Sequence, residues 1–357
     1  MTLQTPEPVT ELSPPPVETF ARGKVGLDSG TQERGTVLCF TMAETFRLFV
    51  KNAQQLVAVC SGGERFLAGD RMQRLAVIDN GAVVVGRDGL VRAVGSTDVL
   101  EKQFRQASFD KVIDASGMVV VPGLIDSHTH PVWAGDRVHE FAMKLAGATY
   151  MEVHQAGGGI HFTVEHTRRA TPEQLFSSLT ERLTRMLRAG TTLVECKSGY
   201  GLDLDTELKM LTVVEKARTA LPMGISSTYC GAHAVPKGRT EAEAVQDIVQ
   251  VQLPRLQEKM ALGELRVNNI DVFCEKGVFD LDSTRTILQA GKALGLQINF
   301  HGDELHPMNS AEVGDPQRGI GAMCHSPASS IHSLALWLVA LVLAMSAFPL
   351  VLFHINC

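Results

Sequence analysis

The sequence lacks several features that define common classes of protein. Its 33 Lys and Arg are outnumbered by 39 Asp and Glu, so a nucleic-acid-binding surface is not expected. Its seven cysteines include no Cys-x-x-Cys pair, which argues against a disulfide framework. Cys60, Cys196, Cys230 and Cys274 lie in apolar, strand-like contexts, where buried thiols in a reducing compartment are expected.

The first twenty residues also lack a secretory signal. They contain prolines and acidic residues but no apolar core segment, and the acidic residues count against a mitochondrial transit peptide. Residues 1–41, with Pro14-Pro15-Pro16, are expected to form a disordered leader. The expected location of the protein is therefore the cytosol.

Short β-rich runs begin after this leader. The runs cover residues 47–59, 75–78, 81–86 and 89–95, and turn sequences such as Asp88-Gly89 separate them. This pattern predicts a small N-terminal β-sandwich module over residues 42–121.

The pattern then changes to alternating strands and helices. The run at 118–121 continues the β-module, Pro122 and Gly123 interrupt it, and Leu124 and Ile125 restore apolar character before the first histidines. Further strands are predicted at 191–196, 225–230, 270–274 and 296–300. Helices are predicted over 172–187 with Thr171 as cap, over 204–221, over 240–260 with an interruption near Pro254, and from a cap at Asp282 or Ser283 to residue 294. Repeated βα units predict a parallel α/β sheet, here a TIM (β/α) barrel over residues 122–313, with a doubly wound open sheet as the alternative.

Histidines lie where these strands end. His128 and His130 are one residue apart, and because strand side chains alternate faces they are expected to project to the same side. His301 follows the strand at 296–300. Three imidazoles plus water form the pattern of an open, catalytic zinc site, although each histidine could instead be an ordinary polar residue in the barrel mouth.

Two carboxylates follow His301 closely. Glu304 is three residues on and is a candidate general acid or base, while Asp303 is equally well placed by spacing. Arg137 could bind a substrate carboxylate or form a salt bridge with Asp136 or Glu140, and the sequence leaves both open.

Two further residues are candidates for substrate contact. Tyr200 stands between two glycines, which exposes its ring, although many tyrosines in turns serve packing. His233 ends another predicted strand and could polarise a carbonyl or transfer a proton, or be a structural histidine.

The last part of the chain has a different composition. No Asp, Glu, Lys or Arg follows Arg318, and residues 334–353 are almost wholly apolar and long enough to span a bilayer. Residues 314–357 are interpreted as an aberrant apolar tail, with a membrane anchor as the alternative. Because a βα barrel closes with eight units, a barrel truncated after about five units is expected.

Several long motifs resemble a known family in order and spacing. The motif Pro-Gly-Leu-Ile-Asp-Ser-His-Thr-His (122–130) resembles the opening metal motif of the amidohydrolase superfamily. The segments 131–159, 195–202, 229–233 and 300–307 resemble the imidazolonepropionase family within it, and the resemblance extends over about residues 46–313.

This resemblance implies a reaction and a site. Members of the family use water and one zinc or iron ion, divalent or trivalent, to open the lactam ring of 4-imidazolone-5-propanoate, giving N-formimidoyl-L-glutamate in cytosolic histidine degradation. The matching metal ligands are His128, His130 and His301. The matching catalytic residues are Glu304 and His233, and the matching substrate contacts are Arg137, Tyr150, Tyr200, His233 and Glu304.

The chain departs from the family after Val313. The family's Ser-Asp-Phe-Asn-Pro motif, whose aspartate completes the metal site, does not follow, so activity of this chain is in question. The alternatives are another cyclic amidohydrolase or deaminase, and an inactive membrane-tethered isoform. The expected partner is the small-molecule substrate, with a homodimer left open and a membrane relevant only if 334–353 is an anchor.

Overall fold

The computed structural model describes residues 44–60, 67, 69–148, 152, 158–314, 323–325 and 350–354. The expected leader and most of the expected tail lie outside these residues. The strands are β1 (Thr45–Val59), β2 (Ala76–Val85), β3 (Val91–Ser96), β4 (Ser108–Asp114), β5 (Met118–Pro122), β6 (Leu124–Asp126), β7 (Thr191–Lys197), β8 (Gly224–Ala232), β9 (Asn269–Cys274), β10 (Gln297–Gly302), β11 (Met323–His325) and β12 (Leu350–His354). The helices are α1 (Thr97–Gln103), α2 (Val138–Leu145), α3 (Ile160–Arg169), α4 (Pro172–Arg188), α5 (Leu204–Ala220), α6 (Glu241–Asp247), α7 (Leu253–Ala261) and α8 (Leu281–Ala293).

The N-terminal strands form one mixed sheet. Its order is β12-β5-β1-β2-β3, and β4 also pairs with β1. Strand β1 is long enough to pair with β4 through its first half and with β5 through its second half. Along β2, Val83 enters one apolar cluster while Ala82 and Val84 enter another, so both faces of this strand are buried. The region of the predicted N-terminal module thus contains one sheet with apolar packing on two faces, while its bounds as a domain stay a prediction.

The second sheet is parallel and carries the histidines. Its order is β11-β10-β9-β8-β7-β6, and every neighbouring pair is parallel. The described residues therefore provide six parallel strands, one more than the five expected. The sixth, β11, lies in the segment interpreted as an aberrant tail, and β12 from the same segment pairs antiparallel with β5.

Helices pack on this sheet through apolar stripes. In α4, Leu175, Leu179 and Leu183 recur every four residues and are fully buried, in one cluster with Val194 of β7. Thr171 caps the helix and Gln174 completes a capping box, as the sequence predicts for the cap. Each buried leucine contributes about 2 kcal/mol through removal of apolar surface from water. This packing fixes β7 and the polar residues at its end.

The interruption predicted at Pro122 and Gly123 is present at Gly123, which separates β5 of the first sheet from β6 of the second. Two local predictions need correction. The interruption near Pro254 is a π-helical turn, Ile248–Gln252, between α6 and α7. The cap of α8 is Asp280 rather than Asp282 or Ser283, because the Asp280 side chain accepts a hydrogen bond from the Ser283 backbone N–H.

Among the described residues, no helix has the length and apolar character needed to cross a membrane. Residues 334–349 of the apolar segment lie outside the described part of the chain.

Candidate metal centre

Three histidines meet at the carboxyl ends of β6 and β10. One ring nitrogen from each of His128, His130 and His301 lies within 4.8 Å of the others. The Nε2 atoms of His130 and His301 are 3.2 Å apart, and the ring centroids of His128 and His301 are 4.6 Å apart. The structure therefore brings together the three residues that the sequence predicts as metal ligands.

The reason that His128 and His130 converge differs from the predicted one. Strand β6 ends at Asp126, so both histidines follow the strand instead of alternating within it. Thr129 between them is tied to β7: its hydroxyl donates to the Glu195 carbonyl at 2.5 Å, and its carbonyl accepts from the Lys197 N–H at 3.1 Å. These bonds hold the backbone between the two rings against the sheet.

A buried aspartate orients His301. The carboxylate oxygen Oδ1 of Asp271 lies 2.7 Å from Nδ1 of His301, and Asp271 is fully buried in β9. Because a carboxylate only accepts, Nδ1 of His301 carries the hydrogen of this bond, and Nε2 is the ring nitrogen that faces His130. Metal-binding histidines typically hold a carboxylate on the second ring nitrogen in this way.

The aspartate belongs to a chain of buried charges that the sequence analysis missed. Lys197 donates from Nζ to Asp271 Oδ2 at 2.8 Å and to Glu195 Oε1 at 2.6 Å, and its side chain is 0% exposed. Thr228 and Asn299 also donate to Glu195 Oε1. Burial works against the charge on Lys197, but Asp271 and Glu195 keep its pKa above the usual range. The signal in the sequence is a carboxylate within the apolar run of β9 and a Glu-x-Lys pair within β7.

The three-histidine cluster fits a metal ion by its donor set. Nδ1 of His130 is buried and has no hydrogen-bond partner among the described residues, and the Nε2 atoms of His130 and His301 face each other at a distance where one hydrogen at most can lie between them. Burial, with the neighbouring His233 and His301, keeps the pKa of His130 well below its usual range, so this ring is neutral. Neutral imidazole nitrogens are ligands for zinc and iron.

His233 and Tyr200 lie beside the histidine cluster. The rings of His233 and His130 stack with centroids 4.6 Å apart, and the Tyr200 ring is 5.2 Å from His233. The Gly199 carbonyl accepts from Nδ1 of His233 at 3.0 Å. Burial and the neighbouring His301 lower the pKa of His233 to about 4, so His233 is neutral at physiological pH.

A buried carboxylate shapes the loop that carries Tyr200. Glu207 of α5 is 1% exposed and accepts hydrogen bonds from the backbone N–H groups of Gly199, Gly201 and Leu202 at 2.7–2.9 Å. Gly199 has φ +106°, and a Cβ there would lie 2.9 Å from His233 Nδ1, so glycine is required. The role of Glu207 was not predicted, because a glutamate in an amphipathic helix is ordinarily exposed.

A cavity of about 210 Å³ adjoins this loop, lined by Trp133, Arg137, Thr163 and Tyr200. Arg137 donates through Nε and Nη2 to Glu140 Oε2 at 2.9 and 2.7 Å. Glu140 Oε1 accepts from the Gly159 N–H, so the carboxylate is held at both oxygens. Although burial alone raises the pKa of Glu140, these bonds lower it overall. Arg137 thus forms the predicted salt bridge with Glu140 and also lines a cavity, while its contact with a substrate carboxylate stays a prediction.

The segment after His301 is held by other carboxylates than Glu304. Asp303 is buried and accepts from the Met308 and Ser310 N–H groups, while Glu275, 1% exposed, accepts from the Leu305 N–H and from His306. Glu304 itself is exposed at the bend after β10. Its predicted catalytic role stays a prediction, and the predicted contact at Tyr150 lies outside the described residues.

The expected thiols are buried with one exception. Cys196, Cys230 and Cys274 are buried, as predicted, whereas Cys60 at the end of β1 is only half-buried because the first sheet ends there. Burial raises the pKa of the Cys196 and Cys230 thiols.

Comparison with known proteins identifies close relatives. The chain is 69% identical over 272 residues to a protein of Danio rerio, covering 76% of this chain and 63% of that protein. It is 64% identical over 284 residues to a human protein (80% and 66%) and 62% identical over 294 residues to a mouse protein (82% and 69%). All three bear the name "Probable imidazolonepropionase". The chain spans about two thirds of the length of these relatives.

A solved structure shows the same fold. An adenosine deaminase from Xanthomonas campestris with bound zinc superposes with a TM-score of 0.53, covering 84% of this chain and 62% of that chain at 14% identity. At this identity the likeness concerns the fold alone, and it confirms the predicted α/β barrel type. No protein-family model matches the chain. The mouse relative, matched over more than two thirds of its length, shows that this chain belongs to the imidazolonepropionase family.

Proposed function

We propose that the site hydrolyses the lactam C–N bond of 4-imidazolone-5-propanoate, giving N-formimidoyl-L-glutamate in histidine degradation. The observation that carries the proposal is the three-histidine cluster next to a cavity lined by Arg137 and Tyr200. The names of the close relatives point to the same substrate.

The proposed cofactor is one zinc or iron ion held by His128, His130 and His301. Such an ion supplies Lewis-acid polarisation of the ring carbonyl and generates the nucleophile from water at neutral pH. The cluster supports this assignment because Asp271 fixes the orientation of His301 and leaves its Nε2 facing His130.

Arg137 is proposed to bind the propanoate carboxylate. Its ion pair with Glu140 uses Nε and Nη2, which leaves Nη1 outside the pair, and the guanidinium lines the cavity. A charge-assisted bond from Nη1 to a carboxylate would fix one end of the substrate. The imidazolone ring then extends past Tyr200 towards His233.

His233 is proposed to accept a proton. Because a carbonyl oxygen only accepts, Nδ1 carries the hydrogen that is donated to Gly199, and Nε2 of the neutral ring is an acceptor. The neutral ring therefore cannot donate to an oxyanion until it has taken up a proton, for example from attacking water. Of the two chemical roles considered for His233, this favours proton transfer over polarisation of a carbonyl.

Glu304 is proposed to deliver a proton to the leaving ring nitrogen. Hydrolysis adds water to the ring carbonyl carbon and breaks the C–N bond, so the nitrogen must gain a proton as the carboxylate forms. Glu304 lies three residues beyond His301 and is exposed in the bend after β10. The proposed setting is the cytosol, and homodimer formation stays a prediction to be checked by analytical ultracentrifugation.

Substrate turnover by the full chain tests this function. The chain loaded with zinc, and separately with iron, is incubated with 4-imidazolone-5-propanoate, hydantoin or guanine, and the products are identified by mass spectrometry. We expect N-formimidoyl-glutamate from the first compound, and loss of turnover after a chelator removes the metal. Turnover of hydantoin or guanine without turnover of the imidazolone would contradict the proposal.

A further inference from the structure

The buried charged side chains next to the histidines form a connected series of contacts. Its geometry is more specific than a salt bridge needs if it serves stability alone. Lys197 reaches one oxygen of Asp271, and the other oxygen of Asp271 reaches His301. Both oxygens of this carboxylate are therefore occupied by partners on two different strands, β7 and β10. The carboxylate cannot rotate without breaking one of the two bonds.

The position of Lys197 is itself fixed. Its Nζ lies between Asp271 and Glu195, and Glu195 is anchored in turn by Thr228 and Asn299. The side chains of Lys197 and Asp271 are both 0% exposed, so water cannot take the place of either one. Isolated buried charges are costly, and such a chain persists only where each member is paired.

We propose that Lys197 and Asp271 are positioning residues of the metal centre, holding His301 with its Nδ1–H on Asp271 and its Nε2 facing His128 and His130. The inference rests on the proposed metal site and assigns to it two residues that touch neither the metal nor the substrate. Its consequence is that the affinity for metal depends on a lysine that is not a ligand.

The test measures metal affinity without substrate. Zinc binding to the full chain is titrated against a chromophoric chelator, and cobalt binding is followed through its visible absorption bands, which report ligand geometry. We expect Asp271→Asn to lower the zinc affinity about 10- to 100-fold, the range typical for removal of a carboxylate behind a metal-binding histidine, and to alter the cobalt bands.

A second variant shows whether a lower zinc affinity arises from the loss of Asp271 or from misfolding. Asp271→Asn leaves Lys197 without one of its carboxylates, whereas the double variant K197M/D271N removes both charges and leaves no unpaired cation. Glu195 then keeps its bonds from Thr228 and Asn299, and because burial raises its pKa it can take up a proton instead of staying an unpaired anion. We expect the double variant to keep the circular dichroism spectrum of the wild type and to show the same 10- to 100-fold loss of zinc affinity.

Glu207→Gln is the matched control. Glu207 is another buried carboxylate, but its partners are backbone groups of the loop at 199–202 and not the three histidines. The zinc affinity and the cobalt bands of the Glu207→Gln variant are expected to match those of the wild type. A folded Asp271→Asn or double variant with wild-type affinity and bands would overturn the proposal, as would a wild-type chain that binds no zinc.

These readouts separate this inference from the proposed reaction. A chain that binds zinc through the positioned histidines but does not hydrolyse 4-imidazolone-5-propanoate would refute the proposed function and leave the role of Lys197 and Asp271 intact.

Discussion

The two sheets of the molecule use their buried residues differently. In the N-terminal sheet, Val50, Leu56 and Val83 fill a core that is apolar throughout its described residues. In β7 of the parallel sheet, Val194 and Cys196 enter an apolar cluster, while Glu195 and Lys197, which alternate with them, form buried ion pairs. The N-terminal sheet packs apolar side chains on both faces. In the parallel sheet, one face of β7 instead carries the charged groups that orient His301.

This difference shows that the charged residues next to the three histidines lie on one face of the parallel sheet. Alternation of side chains along a strand allows one face to pack and the other to carry charge. The charged face is stable only because each group finds a partner on another strand of the sheet, as Lys197 of β7 does with Asp271 of β9 across β8. Substitutions on the two sheets should therefore have separable effects on activity and on stability.

The largest effect on activity is expected from His301→Ala. Loss of one of three ligands removes most of the Lewis-acid contribution, and we expect kcat/KM for 4-imidazolone-5-propanoate to fall about 1,000-fold, since each factor of ten corresponds to about 1.4 kcal/mol. Steady-state kinetics and metal analysis check this. The control is His139→Ala, an exposed histidine of α2, with kinetics expected to match the wild type. Full activity of His301→Ala would show that the reaction does not need the proposed metal centre.

Arg137→Met should act on binding. Loss of a charge-assisted bond to the substrate carboxylate is expected to raise KM about 10- to 100-fold and to change kcat less than about threefold, because the bond is the same in the ground state and the transition state. Arg185→Met, an exposed arginine on α4, is the control. A fall in kcat with unchanged KM would show that Arg137 acts on the reacting atoms instead.

Glu207→Gln should have an intermediate effect. An amide cannot accept at both ends, so the loop at 199–202 loses part of its anchoring and both Tyr200 and the Gly199 carbonyl are less well held. We expect kcat/KM to fall about tenfold, because misplacement of Tyr200 and the Gly199 carbonyl is costly for catalysis. The zinc affinity should stay unchanged. Unchanged kinetics would show that the loop holds its conformation without this carboxylate.

The sequence predicted the histidine cluster but not what supports it. His128, His130 and His301 were identifiable because histidines at strand ends are a local signal. The contact of Lys197 with Asp271 joins residues 74 positions apart and depends on the order of β7, β8 and β9 in the sheet, which nothing local to either residue reports. The break between β5 and β6 was predictable, because Pro122 and Gly123 are a local signal for the interruption of a strand.

Leu56→Ala should affect stability alone. Leu56 is 2% exposed in the core of the N-terminal sheet, and truncation of a buried leucine costs about 3 kcal/mol in the free energy of unfolding. We expect a lower denaturation midpoint in urea, with kcat/KM of the folded protein within twofold of the wild type. Leu75→Ala, at an exposed position, is the control and should leave the midpoint unchanged. A large kinetic defect in Leu56→Ala would contradict the separation of the two sheets.

The smallest effect concerns the thiols of the parallel sheet. Because burial raises the pKa of Cys196 and Cys230, both stay protonated as the pH rises from 7 to 9, and access to reagent is also blocked. Mass spectrometry after treatment with iodoacetamide should show neither labelled in the native chain and both labelled after unfolding. Half-buried Cys60 is the internal comparison and should react faster. Equal labelling of all three in the native chain would show that the parallel sheet opens readily.

The metal content of the chain shows whether the three histidines form a metal site. The full chain is reconstituted with excess zinc, freed of unbound metal and measured by mass spectrometry of the metal, next to a variant with alanine in place of His128, His130 and His301. We expect one zinc ion per wild-type chain and none in the variant. Equal zinc in both, or none in the wild type, would contradict the proposed metal site.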